Sequence, residues 1–566
     1  MSNAEFNLID KPWIRARSLK GEIKEYSILD IFDHASELQS MANDLPTQDF
    51  AILRVLLAIF QRSLSPLVDD DDDPAEVWES LWNTATLPMS VIQQYLKTWH
   101  KRFDLLDPEV PFMQLSGMKT KNGKITSVEK IIADVPDNKR LFALRSTNNT
   151  KQISNAEAAR WVVHTQAFDT AGIKTGVLGD SKTKNGKYYG EILSWGGAIG
   201  GVYIEGENLH ETLLLNLILC ANNNDYYSIF PEDDLPSWER DPARLESDER
   251  DPSGRIDVYT WQSRRILLHS DNGKVDGVIL THGDRITSQN RMLIEPMTGW
   301  RRSGAQEKKL KEPLVYMPAE HQPDKALWRG LASLLPTQTV TTKKGSSYLA
   351  SGVVEWLCYL ISQNSIKKCD IDRLIAIHAV GFQYGEDNSK YIGLINDKLN
   401  IHASLLSPSS SKLTDLACQC AIDTDKAVSA LGGMASNLCY AAGGSDKTAK
   451  DSRNTVKADA YFEIDQVFRR WLLTLQEDML GNNNILNQAR ISWHKQASLL
   501  LLKIADSLIE NASSSAYVGH KVQKKGWMTL AKAQSIFMRD LFTALPLAKK
   551  ENRKIEEETE LNDRHK

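Results

Sequence analysis

The spacing of hydrophobic positions changes along the chain. From about residue 105 to 325, short apolar segments alternate with clusters of Gly, Asn, Asp and Pro, a pattern typical of short strands joined by long loops. Beyond about residue 405, apolar side chains follow helical spacing. We therefore predict an α+β fold, with a large mixed N-terminal domain of short sheets and long loops over residues 1–404. An all-α C-terminal four-helix bundle should follow over residues 405–548, and the charged tail 549–566 should be disordered.

Several elements of the N-terminal domain are predicted from local signals. A helix should begin near Pro46 with Thr47 as its capping residue, because apolar side chains then recur at helical spacing. Three segments are predicted as strands bounded by turns at Asn272-Gly273 and His282-Gly283, namely residues 192–204, 256–269 and 275–281. One helix, residues 209–219, interrupts these strands.

Four amphipathic segments with short connections make up the C-terminal pattern, which favours an antiparallel bundle. They are residues 412–440, 456–475, 485–510 and 527–545. In the third segment we predict an apolar stripe that belongs to the core, formed by Leu499, Leu500, Leu502, Ile504 and Leu508. We identify no internal repeat.

Composition and charge limit the functional classes. The 566 residues include 68 Lys and Arg and 73 Asp and Glu, so 68 − 73 = −5, and no global positive field attracts nucleic acid. Six unevenly spaced cysteines do not form a disulfide framework. No apolar run reaches the roughly 18 residues that span a bilayer, and the first residues lack the layout of a signal peptide. We expect a cytoplasmic protein that does not contact membranes.

Motifs for catalysis are weak throughout the chain. Residues 443–448 are similar to a phosphate-binding loop but lack the Gly that should precede Lys447. Cys418 and Cys420 lie two apart on a helix and so face different directions. We therefore predict no enzymatic activity, no cofactor and no metal. A metal-dependent nuclease and a purely structural scaffold subunit are the two alternatives.

Six segments in a fixed order point to one family. They read NLIDKPWI (7–14), LPTQDFAILRVLLAI (45–59), PFMQ (111–114), QAFDTAGIK (166–174), TWQSRR (260–265) and GFQYG (381–385). In this order, ahead of a helical C-terminal region, they resemble the CasA family, the large subunit of the type I-E CRISPR Cascade. The resemblance implies a non-catalytic subunit of a crRNA-guided antiviral surveillance complex. Such a subunit recognises the protospacer-adjacent motif in double-stranded DNA, helps to open the duplex for guide pairing and helps to recruit a helicase-nuclease. Its implied partners are the other Cascade subunits, crRNA and the target DNA.

The resemblance assigns a loop after Gln166 to motif reading. Thr170, Ala171, Gly172 and Ile173 match the family's glycine loop by position, and Lys174 beside them is assigned as a phosphate contact. Small side chains allow the main chain to approach base edges in the narrow minor groove, whose hydrogen-bond pattern is degenerate. An ordinary turn after a helix, with a solvated lysine, is the alternative.

The resemblance also implies a wedge that is inserted into the duplex. It lies at the turn that contains Gly385, Asp387 and Asn388, with Tyr384 as a support. Unstacking a base step costs a few kcal/mol, which new contacts and later pairing offset. Acidic neighbours would repel phosphate, so this wedge either acts sterically or is displaced by a residue in the alignment. A plain exposed turn is the alternative.

Two further positions complete the predicted interface. Arg285, beside the predicted turn at His282-Gly283, is assigned as a basic finger in the minor groove, where the negative potential suits arginine. Lys274 is the alternative finger, and an arginine on a sheet surface is the other interpretation. Phe142 precedes a polar stretch, residues 145–151, that resembles the loop engaging the crRNA 5′ end. A core phenylalanine is the alternative there.

Overall fold

Short helices and small sheets make up most of the chain before residue 405, and long helices follow. The computed structural model describes residues 5–68, 72–134, 151–190, 192–219, 232–248, 250–322, 325–335, 341–342, 345–363, 365–366, 373–523 and 526–548. The α-helices are Ile28–Asp33, Pro46–Ser63, Pro74–Trp82, Met89–Thr98, Asn155–Phe168, Leu209–Leu215, Arg255–Tyr259, Gly304–Leu310, Gly352–Ser362, Ser411–Ala441, Asp446–Leu472, Asn483–Glu510, Ser514–Val518 and Leu530–Ala544. The predicted fold class is confirmed.

The strands form small antiparallel sheets. Four sheets have three strands each, and in each of them the central strand pairs with the two outer ones. The central strands are Ile14–Ser18, between Ile23–Tyr26 and Leu38–Met41, and Lys274–His282, between Thr126–Ser127 and Arg264–Asp271. In the other two sheets they are Trp300–Arg302, between Tyr316–Pro318 and Tyr348–Leu349, and Leu374–Tyr384, between Tyr391–His402 and Gly201–Glu205. A fifth joins Lys174–Thr175, Lys187–Tyr188 and Thr183–Lys184. Two further strand pairs are Thr341–Thr342 with Gly345–Ser346 and His520–Val522 with Gly526–Met528.

The chain divides into two compact units. The first comprises Met1–Pro323, Val340–Lys368 and Ile375–Lys398, and the second comprises Asp324–Thr339, Cys369–Leu374 and Leu399–Lys566. We call the second the helical unit. It includes the segment Asp324–Thr339 because the buried Trp328 stacks on Phe468 with ring centroids 4.3 Å apart. The predicted domain boundary at residue 405 lies near the start of the last segment, Leu399–Lys566, and stays a prediction.

The helix Pro46–Ser63 forms the core of the first unit, and its start corrects one prediction. Thr47 does not cap it: the N-cap is Leu45, without a side-chain hydrogen bond, and Thr47 lies inside the first turn. The buried Thr47 hydroxyl lies 3.0 Å from Nε2 of His164 instead. Within the described residues, the stretch Pro46–Leu67 is long and apolar enough to cross a membrane, and 78% of its most apolar window is buried. Such burial is typical of a core helix.

Element boundaries in the mixed region differ from the predictions where a turn interrupts an apolar run. Residues 192–204 contain only the strand Gly201–Glu205, because the 3₁₀ turn Trp195–Ala198 precedes it. Residues 256–269 are divided between the helix Arg255–Tyr259 and the strand Arg264–Asp271. The predicted strand 275–281 is confirmed as Lys274–His282, and the helix predicted to reach residue 219 ends at Leu215.

The helical unit is built around Ser411–Ala441, which contacts each of the other three long helices. All four predicted helical segments are present, although a short helix and a strand pair occupy residues 514–528 before the last one. The predicted apolar stripe is wrong in its register. Leu499 is 65% exposed, and Leu501, with 0% exposure, is the buried leucine of this turn.

Candidate nucleic-acid interface

The loop assigned to motif reading, residues 170–174, follows the helix Asn155–Phe168 directly; we call it the reading loop. Gly172 has a φ of +97°, a conformation that side-chain-bearing residues rarely adopt. Its amide donates a hydrogen bond to the Gly190 carbonyl at 2.9 Å. The preceding amide, of Ala171, donates to the Asn388 carbonyl at 2.9 Å. The loop is therefore fixed through its backbone, and Ile173 is left 52% exposed.

The predicted wedge is the connection between two long strands, Leu374–Tyr384 and Tyr391–His402; we call residues 385–390 the hairpin tip. It closes through the Gly385 amide, which donates to the Lys390 carbonyl at 2.8 Å. Asp387 and Asn388 both have a φ of 54°, which these two residue types tolerate better than most. Both are exposed, so the tip presents a strained turn to solvent.

Two tyrosines at the base of the hairpin hold it against the reading loop. The hydroxyls of Tyr384 and Tyr391 both donate to the Phe168 carbonyl, at 2.9 and 3.1 Å. Burial raises the pKa of both hydroxyls well above the usual value, so they remain protonated donors. Phe382 packs on Tyr391 with centroids 4.6 Å apart. Tyr384 thus anchors the base of the hairpin, and its support of a wedge stays a prediction.

A buried charge cluster lies beneath the reading loop. Arg264, which is 1% exposed, donates from Nε to the Asp169 carboxylate and from one terminal nitrogen to the carbonyls of Thr170 and Ile192, at 2.9 Å each. Lys174 Nζ lies 2.6 Å from the same carboxylate. Burial raises the pKa of Asp169, but Lys174 and Arg264 outweigh it and hold the value at about 2. The cluster therefore fixes the loop with charges that stay ionised.

Lys174 is placed differently from an exposed phosphate contact. Its side chain is buried, and burial lowers its pKa to about 8 despite the Asp169 carboxylate. In this conformation the ammonium supports the loop from below, and a phosphate contact would require the ion pair with Asp169 to open. Within residues 170–174 the exposed side chain is that of Ile173.

His282 holds the other side of the reading loop. Its Nε2 donates to the Gly172 carbonyl at 2.9 Å. Burial lowers the pKa of His282 to about 4, and Arg264 adds to the effect, so the ring is neutral at pH 7. A Cβ on Gly190 would lie 2.7 Å from His282 Nε2. Glycine is therefore required at position 190, where the chain passes close to this ring.

Arg285 and Lys274 lie at opposite ends of one strand. Lys274 begins the strand Lys274–His282 beside the Asn272-Gly273 turn. Arg285 follows the end of the strand, and the segment after it does not turn back into a paired strand. Its exposed side chain lines a cavity of about 550 Å³ together with Asn388. Of the two candidates, Arg285 is therefore the one that shares a cavity with the hairpin tip.

Phe142 lies outside the described residues, as does most of the stretch 145–151. Of the other nine predicted site residues, the structure brings eight together, from Thr170 to Lys174 and from Gly385 to Asn388, and Arg285 lines the adjoining cavity. Within the described part of the chain, no group of three or more His, Cys, Asp or Glu side chains is placed to hold a metal ion.

Three of the six segments that carry the family resemblance meet at Gln166. Its side-chain amide donates to the Met113 carbonyl at 2.9 Å and to the Arg264 carbonyl at 3.0 Å, and its oxygen accepts from the Arg264 amide at 2.9 Å. No role for Arg264 follows from the sequence alone. Its position in the TWQSRR segment was the only available signal, because its partners lie about 95 residues away.

Comparisons with known proteins find chains that are similar in sequence and in fold. A sequence profile described as CRISPR-associated protein Cse1 matches residues 7–504. A CasA/Cse1 protein of Thermus thermophilus is 30% identical over 344 residues, which cover 59% of this chain and 61% of the relative. The match thus spans less than two thirds of that relative's length. The crystal structure of Thermobifida fusca Cse1 has 34% identity and a TM-score of 0.84, covering 96% of this chain and 99% of that one. A chain of a CRISPR RNA-guided surveillance complex shares the fold, with 14% identity and a TM-score of 0.68 over 95% and 99% of the two chains.

Proposed function

Because the chain belongs to the Cse1 family of CRISPR-associated proteins, we propose that it is the non-catalytic large subunit of a crRNA-guided surveillance complex. In this complex it recognises a short motif in double-stranded DNA and helps to open the duplex. The contact between Ala171 and Asn388 carries this proposal. Two elements that are remote in sequence, which the family resemblance assigned to motif reading and to duplex opening, are joined backbone to backbone.

The reading loop is suited to a shallow, degenerate groove. Its main chain is fixed by hydrogen bonds to Gly190 and Asn388 and by the His282 contact to Gly172, so little conformational entropy is lost on binding. Small side chains at Ala171 and Gly172 leave room for the backbone to approach base edges. We infer that specificity arises from the backbone position rather than from a long side chain.

The hairpin tip is suited to steric separation of base pairs. Glu386 and Asp387 are both exposed and repel phosphate, and with the exposed Lys390 the tip has a net charge of −1, so the DNA backbone gives it no net attraction. The tyrosine contacts to Phe168 keep it rigid. A rigid tip next to a fixed reading loop can occupy the space of a base step once the motif is engaged.

Other subunits, crRNA and a recruited helicase-nuclease are the proposed partners, and the proposed location is the cytoplasm.

The test is copurification with the other subunits and crRNA, followed by binding to duplexes with permuted flanking motifs. We expect the chain to join the complex and to confer a motif preference. Gly172→Ala adds no close contact, since the new Cβ would lie 3.7 Å from Ser389 Cβ, but it strains a φ of +97°. That strain is worth about 1–2 kcal/mol, so discrimination should fall about tenfold.

Gly433→Ala is the matched control, because Gly433 lies inside the helix Ser411–Ala441 with nothing within 4 Å of the added Cβ. It should leave the motif preference intact. If the chain fails to join the complex, or if both variants discriminate like the parent, the proposed function is wrong. Plasmid cleavage with magnesium or manganese by the purified chain would instead support the nuclease alternative.

A further inference from the structure

A six-residue sequence occurs twice in the first unit. Residues 119–124 and residues 182–187 both read KTKNGK. The prediction that the chain has no internal repeat is therefore wrong for segments as short as six residues. Each copy carries three lysines around an Asn-Gly pair, which is a strong turn signal. Gly123 and Gly186 have φ values of +65° and +71°, so both copies form tight turns.

The structure places the two copies on either side of one short segment. Thr120 forms a β-bridge with Val177, and the Leu178 amide donates to the Lys119 carbonyl at 2.8 Å. From the other copy, the Thr183 hydroxyl accepts from the Val177 amide at 3.2 Å. A small apolar cluster beneath them includes Met118, Val177 and Ile279. We call the two copies and residues 174–181 the lysine lobe.

The lobe is strongly basic in a chain that is acidic as a whole. Residues 119–124 and 175–187 hold six lysines and one acidic residue, Asp180, so 6 − 1 = +5, against −5 for the entire chain. Lys174 is left out because its ammonium is buried and paired with Asp169. Asp180 is buried, whereas all six lysines of the two repeats are exposed. None of these six forms an ion pair within the described residues, and only Lys182 is engaged, as a donor to Ser247. Five ammonium groups are therefore available to a ligand.

The lysine lobe is continuous with the reading loop. Its first strand begins at Lys174, the residue after Ile173. The chain leaves the lobe through Tyr189, which is 56% exposed, and Gly190, whose carbonyl accepts from the Gly172 amide at 2.9 Å. A duplex that contacts residues 171–173 therefore extends within reach of the lobe. Hydrogen bonds to residues 177 and 178 hold both turns in place, so their lysine side chains extend from a fixed backbone.

We propose that the lysine lobe binds the phosphate backbone of duplex DNA beside the motif that the reading loop recognises. That the bound DNA lies beside the recognised motif rests on the proposed function. That the lobe binds phosphate rests on its own exposed lysines alone. Lysine is a flexible point charge that contacts phosphates without reading sequence. The lobe thus adds affinity and salt dependence, whereas the reading loop adds specificity. An acidic protein partner is the competing occupant, and the test distinguishes the two.

The test uses the assembled complex and a quadruple variant, Lys121→Gln, Lys124→Gln, Lys184→Gln and Lys187→Gln. Its affinity for a short duplex carrying the preferred motif is measured at several salt concentrations. Each phosphate contact contributes about 0.9 to the slope of log K against log salt, so the slope should fall by about 3 to 4. At about 0.15 M salt the affinity should fall at least about tenfold, while the ratio between permuted motifs stays unchanged.

The matched control neutralises four exposed lysines of the helical unit, Lys412, Lys447, Lys450 and Lys503, and makes the same change in net charge. It should retain the parent slope. An unchanged slope in the lobe variant, or an equal loss in the control, would overturn the inference. A lobe variant that binds DNA with the parent slope but no longer copurifies with the complex would assign the lobe to an acidic protein instead. Failure of the parent complex to discriminate motifs would refute the proposed function, not this inference.

Discussion

The reading loop and the helical unit are stabilised in different ways. The loop is held by buried charges and backbone hydrogen bonds, with Arg264 at the centre. The helical unit is held by apolar side chains such as Leu501 and Phe468, both with 0% exposure. The hydrophobic effect is non-directional, whereas a fully satisfied buried polar network specifies one arrangement of its donors and acceptors. The region proposed to touch DNA is thus the more sharply defined, which is what backbone-mediated reading requires.

Arg264→Ala should have the largest effect. It removes the hydrogen bonds to Thr170 and Ile192 and leaves Asp169 buried with one cation fewer. Breaking such a cluster costs about 3–5 kcal/mol. We expect a lower unfolding temperature of the first unit by calorimetry and loss of motif discrimination by the assembled complex.

Arg285→Ala is the matched arginine control, because its exposed side chain makes no hydrogen bond or ion pair within the described residues. Its unfolding temperature should equal that of the parent, while DNA affinity falls. Equal unfolding temperatures for the two variants would show that the charge cluster does not stabilise the reading loop.

Leu501→Ala should have the next largest effect, on the helical unit alone. Leu501 has 0% exposure, and a cavity of this kind costs about 2–5 kcal/mol. Leu499→Ala, two residues away and 65% exposed, should change the stability by less than about 0.5 kcal/mol. Denaturant unfolding of both variants measures the difference. A motif preference altered by Leu501→Ala in the assembled complex would contradict the separation of the two regions.

Protonation of His282 on acidification should have the smallest of the three effects. The pKa of His282 is lowered to about 4 by burial and by Arg264, from an ordinary 6.5. The neutral ring therefore contributes stability that is fully present above pH 6.5 and is lost as the pH falls toward 4. At pH 5 the loss is about 2 kcal/mol.

The other charged groups that face His282 are Lys174 and Asp169. Burial lowers the pKa of His164 to about 3, so its contribution to the stability of the protein is lost in the same pH range. Thermal unfolding between pH 7 and pH 5 should therefore be compared in the parent and in His282→Gln, which removes the His282 contribution alone. Identical pH profiles would contradict the buried, neutral state assigned to His282.

The contrast between the regions also explains what the sequence could predict. Helical periodicity identified the four long helices because each depends on residues three or four apart. It misplaced the stripe at Leu499 because four consecutive leucines hide the register. The family resemblance assigned the reading loop and the hairpin tip to DNA, and that assignment stays a prediction. It could not supply the partners of Arg264 or the convergence of the two KTKNGK turns, since both depend on pairing between residues far apart in the sequence.

The central claim is that the reading loop and the hairpin tip contact the same motif. It is tested most directly by placing a photo-crosslinking side chain at Ile173 or at Asn388 in the assembled complex bound to target duplex. Phe462, which is 80% exposed in the helical unit, is the control position. Crosslinks from both Ile173 and Asn388 to the motif base pairs, with none from Phe462, are the predicted result. Crosslinks from neither position to the motif, or equal crosslinking from Phe462, would contradict the account.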